Sequence, residues 1–167
     1  MFSYDYEYCG KYLSRIFWLL IPNIIGGIFS KIGENRSATL VIIGTIIQLA
    51  CSIAYIYFLA KLSEENEDYK TAWILMTIAT VISTVSGFMN TSGGNRLGLS
   101  VILGLAGAGI AIAEIYYEFS AHSDVMEKPS DELSQRWLGL RKWYTIAYIV
   151  LAASLIFVWI KIGRAHV

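Results

Sequence analysis

Five long apolar blocks constrain this chain more than any other feature. They cover residues 12–29, 38–60, 72–89, 98–119 and 143–160. A helix rises 1.5 Å per residue, so roughly 20 apolar residues cross the hydrocarbon core of a bilayer. Each block is close to that length. The apolar residues run continuously rather than at amphipathic spacing, which favours membrane spans over a buried soluble core. The expected fold is an all-α polytopic integral membrane protein of five transmembrane helices, a single membrane domain over residues 1–161.

Composition agrees. The chain is 56% hydrophobic and 16% charged, and thirteen basic residues balance thirteen acidic ones. No basic footprint of a nucleic-acid binder is present, so no nucleic-acid partner is expected. The start, MFSYDYEYCGKYLSR, carries acids where a signal peptide carries positive charge, and no cleaved signal is expected. Cys9 and Cys51 lie far apart, without metal-ligand spacing or a disulfide framework.

The first block is the most interrupted. Its LLIPNIIGGIF stretch places Pro22, Asn23, Gly26 and Gly27 in mid-span. Membrane helices tolerate such breakers where neighbours satisfy the freed backbone. A re-entrant or interfacial segment is the alternative. The last six residues, Ile162 to Val167 (IGRAHV), match the in-frame translation of a common sequencing adapter. They are expected to be a non-native tail, with the natural chain continuing past Lys161.

Orientation follows from basic residues in short loops. One side carries Lys11, Arg15, Lys61, Lys70, Lys128, Arg136, Arg141 and Lys142, and the other Lys31, Arg36, Arg96 and Lys161. The richer side should be cytoplasmic, which places the N-terminus in the cytoplasm and the protein in the cell membrane.

Two stretches resemble each other within the chain. VIIG at Val41 recurs as VILG at Val101, and SIAYIYF from Ser52 as AIAEIYYEF from Ala111. An acidic loop and a Trp-led apolar run follow each time. Blocks two and three would then form one helical hairpin, and blocks four and five a similar one. The shared small alphabet of membrane helices is the competing explanation. Before block five, Pro129, Ser130, Asp131 and Glu132 form a helix-start signature. Leu133, Trp137, Leu140 and Tyr144 follow at i, i+4, i+7 and i+11. That stripe suits a helix on the membrane surface or a continuous extension of the span.

Block four carries small residues in a row: Ser100, Gly104, Gly107 and Ala111. Such rows let helix backbones approach closely, so these four are expected to pack helices. The row leads on to Glu114, then Glu118 and His122. Glu114 lies about one turn inside the boundary, beside Tyr116 and Tyr117 of the interfacial aromatic belt. It is expected to be shielded and hydrogen-bonded across a helix contact. Glu118 and His122 are expected in the headgroups or in water. Tyr55 and Thr77 fall at the depth of Glu114, and Gln48 sits near mid-span. Glu114, Tyr55, Gln48 and Thr77 therefore form the candidate intramembrane polar site.

No catalytic constellation is present. Glu114, Glu118 and His122 at i, i+4, i+8 lack the second ligand set of helical di-metal sites, so no metal and no cofactor are expected. TSGGNR, Thr91 to Arg96, reads as a tight turn rather than a phosphate loop. The function implied is non-enzymatic: a helix-association module or the membrane subunit of a larger complex, with the lipid bilayer and a homo-oligomer or complex partner around it. The alternative is a small oligomeric transporter with Glu114 as its proton- or ion-coupling acid.

Overall fold

The computed structural model describes residues 4–34, 36–91 and 97–165, and their side chains except at 86–91, 97–101, 155 and 158–165. Five helices and no strand occupy the described residues: α1 Tyr6–Gly33, α2 Ala38–Leu62, α3 Glu67–Thr91, α4 Leu97–Glu127 and α5 Asp131–Ala165. Among those residues, Tyr6–Gly33, Ala38–Leu62 and Ile102–Glu127 are long and apolar enough to cross a membrane. Three expectations lie outside what is described: the turn at 92–96, the Ser100 side chain, and the side chains of the IGRAHV tail.

The chain divides into two compact units, Met1–Lys70 and Thr71–Val167. The boundary falls inside the hairpin that the internal resemblance treats as one piece. The packed helix pairs are α1 with α2 in the first unit and α4 with α5 in the second.

In the first unit, α1 runs unbroken through Pro22. A proline inside a helix removes one backbone bond and crowds the preceding turn. Here the helix stays continuous, and the small residues that follow take the crossing with α2. Gly26, Ser30 and Gly33 stand at i, i+4 and i+7 and meet Val41, Gly44 and Gln48. A Cβ at Gly44 would lie 2.5 Å from both the Gly26 carbonyl oxygen and the Ser30 nitrogen, and one at Gly33 2.6 Å from the Val41 nitrogen. Real side chains cannot sit there, so only glycine permits this approach. Of the four residues that weaken the first block as a sequence, Gly26 is the one that seats it in the structure.

The far end of the same pair is larger and polar-rimmed. Cys9, Tyr12, Ile16, Leu59 and Leu62 are buried, and the Tyr12 and Phe58 rings lie 5.9 Å apart. Asp5 caps α1 by accepting from the Tyr8 amide at 3.0 Å, the N-cap arrangement that satisfies an orphan donor. The Tyr8 hydroxyl donates to Glu64 at 3.1 Å, and the Asp5 amide to Glu65 at 3.1 Å. These bonds tie the start of α1 to the turn after α2. Glu64 also accepts from Lys61 at 2.9 Å. Those bonds, from Lys61 first and Tyr8 second, hold its carboxyl below the ordinary value.

In the second unit the helix-start signature is realised. Ser130 accepts from the Leu133 amide at 3.3 Å, and Asp131 and Glu132 occupy the first turn. Of the two placements open to the Leu133–Tyr144 stripe, the structure has the continuous one, because α5 runs without a break from Asp131 through the fifth block.

Candidate functional site

The site grows from the last turns of α4. Glu114, Glu118 and His122 recur every four residues, so they rise along one helix face. Glu118 retains 4% of its accessible surface and His122 2%. The His122 Nε2 stands 3.3 Å from the Glu118 carboxylate. Glu114, half-buried, meets Glu118 one turn earlier.

This overturns the expectation for Glu118 and His122, which counting along the helix places in headgroups or water. The physical reason is the partner helix. Because α5 already begins at Asp131, ahead of the fifth apolar block, its amino-terminal turns lie against α4. The Trp137 ring meets the His122 ring edge-on at 4.5 Å. Phe119 lies 5.4 Å from both Trp137 and Tyr144 and stacks with His122 at 6.2 Å. Below them the Ser123 and Ser134 hydroxyls bond at 2.7 Å, fully enclosed. Ile115, Ala121 and Val125 complete the buried face. A carboxylate and an imidazole held this dry need polar partners, and the Glu118–His122 contact supplies one to each.

The other members of the sequence-derived site are divided between the two units, each with its own local partners. Gln48 faces α1, where its Oε1 accepts from the Ser30 hydroxyl at 3.4 Å. Thr77 donates to the Trp73 carbonyl of its own helix at 2.8 Å. Thr80, Thr84, Thr45 and Ser52 likewise bond back to their own helices. Such back-bonding satisfies a hydroxyl without any neighbour. Tyr55 is half-buried in the first unit, whereas Glu114 and Thr77 belong to the second. Ala111 is half-buried. Gly104 and Gly107 would each accept a Cβ with nothing within 4 Å. Within the chain, the close helix approach is at Gly26, Gly33 and Gly44 instead.

Two relationships were not anticipated: the Ser123–Ser134 bond, and Arg141 Nη1 donating to the Ser120 hydroxyl at 2.7 Å. The Trp137 and Tyr144 positions of the α5 stripe carried the signal for both. A stripe on the polar turns that precede an apolar block asks for a protein partner as readily as for a membrane surface.

No protein-family model, no curated protein and no solved structure matches this chain.

Proposed function

We propose that the chain is a five-span protein of the cell membrane, with a cytoplasmic N-terminus, that works by helix association rather than catalysis. It acts as a self-assembling module or as the membrane subunit of a larger complex. The observation that carries this reading is the contrast between two sets of small residues. Gly26, Gly33 and Gly44 are consumed by the α1–α2 crossing, while Gly104 and Gly107 on α4 stand open. An apolar helix that keeps a small-residue face unfilled has the surface that association in a bilayer requires. Many large apolar side chains, Phe17, Ile24, Ile46, Ile102 and Phe157 among them, are also exposed, as lipid contact would demand.

Cysteines placed at Gly104 and Gly107 in membrane vesicles test it. Copies should cross-link there, and G104L should reduce the yield. Absence of cross-linking at both positions, in membranes where the protein is inserted, removes the self-assembling form. Reporter fusions after Glu65 and Asp131 should report the cytoplasm, and those after Asn35 and Asn95 the outside. A reversed pattern at two or more sites removes the orientation.

A second reading is favoured by the ionisable column on α4. Acids buried within an apolar helix are costly and mark transport routes in many membrane proteins. On this reading the protein is a small oligomeric transporter and Glu114 is its coupling acid. Proton flux into loaded vesicles that E114Q abolishes, without loss of assembly, would select it over the first.

A further inference from the structure

Arg141 occupies an unusual position. Block four ends at Phe119 and block five begins at Trp143, so Ser120 and Arg141 sit at the same boundary on their two helices. The guanidinium is half-buried and held from α4 at two points. It donates to Ser120 at 2.7 Å, and it lies over the Tyr116 ring with 4.7 Å to the centroid. Among the described residues no carboxylate stands within ion-pair distance of it. Arg136, one turn earlier, already pairs with Glu132 at 2.6 Å. Arg141 is therefore a positioned, partly desolvated cation without a counter-anion. A guanidinium has five donors in a fixed fork, and the Ser120 bond engages one. Tyr116 is exposed, and so at the same boundary are Trp143, at 69%, and Tyr144, the amphipathic rings that collect at headgroup depth. Lys142 is exposed beside it.

We propose that Arg141, fixed by Ser120 and Tyr116, binds the phosphate of an anionic phospholipid headgroup at the cytoplasmic boundary of the α4–α5 pair. This rests on the membrane reading above. The chemistry is that of a planar fork accepting a phosphodiester, with Lys142 adding charge and Trp143 and Tyr116 lying along the glycerol region. The lipid is the occupant chosen over soluble phosphate because the exposed Tyr116 ring lies against the cation and further exposed aromatic rings share its boundary, and a free ion would not need them.

The test uses the whole chain in nanodiscs made from equal parts of phosphatidylcholine and phosphatidylglycerol, with the retained lipids counted by native mass spectrometry. The wild type should retain phosphatidylglycerol preferentially. R141Q should lower that preference roughly fivefold, the worth of one basic residue at a membrane surface. K142Q removes the same charge from an unanchored side chain and should lower it less. S120A keeps every charge and frees the guanidinium, with an expected loss of roughly twofold or more. It serves in place of R141Q if circular dichroism shows that variant to be misfolded. Equal losses in R141Q and K142Q, or an unaffected S120A, would overturn the site in favour of diffuse charge. Inorganic phosphate that strips the preference would assign the site to a soluble anion and overturn the lipid. Failure of the membrane reading shows separately: alkaline carbonate would release the protein from native membranes.

Discussion

Gly26 and Gly44 meet across the α1–α2 crossing so closely that a side chain on Gly44 would start 2.5 Å from the Gly26 carbonyl oxygen. The obstruction is backbone and cannot rotate away. Gly44→Ala should therefore push the helices apart, at a cost of roughly 1–3 kcal/mol typical of overpacking. Gly26→Ala meets the Gln48 and Ile47 side chains and the Gly44 carbonyl, all at 3.0 Å, and should cost less. Denaturant unfolding in detergent ranks the two. A Gly44→Ala variant as stable as wild type would mean that the crossing is not this tight.

Gly104 and Gly107 should behave oppositely. Alanine meets nothing there, and alanine is the better helix former by about 0.5–1 kcal/mol. Gly104→Ala should leave the unfolding midpoint of the dispersed protein unchanged or raise it. A clear loss of stability in that form would show that the chain itself, rather than a second copy, covers this face.

The Glu118–His122 pair should be strongly coupled. Removing one partner from a buried pair takes a polar contact from a desolvated group, so Glu118→Ala should cost roughly 3–5 kcal/mol and His122→Ala a comparable amount. The double variant should cost less than the two added together, by roughly 0.5–3 kcal/mol. Simple additivity in the double-mutant cycle would mean that the two side chains do not rely on each other.

Ser123 and Ser134 offer a milder case. Each hydroxyl is the other's partner in an enclosed space, so Ser134→Ala should cost roughly 1–3 kcal/mol. Adding Ser123→Ala should cost little more, because the stranded hydroxyl then goes too. Thermal scans of the single and double variants measure this directly.

Acid should loosen the first unit at Glu64. Its carboxyl is depressed by Lys61 and Tyr8 in the folded chain. A depressed folded value means that the stabilisation is present above the ordinary carboxyl value and is lost as pH falls through the folded one. Hydrogen-exchange protection factors near Tyr8, taken relative to the intrinsic exchange rate at each pH, should then fall in acid, and Glu64→Gln should flatten that response. An unchanged response in Glu64→Gln would assign the acid effect to another group.

Helix existence was legible along the described residues, because apolar run length is a local property and a helix satisfies its own backbone. The cap at Ser130 was equally legible, since Ser130, Asp131 and Glu132 are adjacent in sequence. Three of the five apolar blocks fall in helices that are long and apolar enough, among the described residues, to cross a membrane. What the sequence could not carry was partnership. Gly26 and Gly27 read as helix breakers because their cost is local, whereas the benefit at Gly26 depends on Gly44 arriving opposite it. Gly104 and Gly107 read as packing residues by the same alphabet, yet among the described residues no atom comes within 4 Å of a Cβ placed there. Glu118 and His122 were assigned to water because depth was counted along one helix. The burial of His122 involves Trp137, more than ten residues away and on another element. Run length and capping belong to neighbours in sequence, and those the amino-acid order determines. Solvation and close approach belong to neighbours in space, and for these residues only the packing of α1 on α2 and of α4 on α5 decided them.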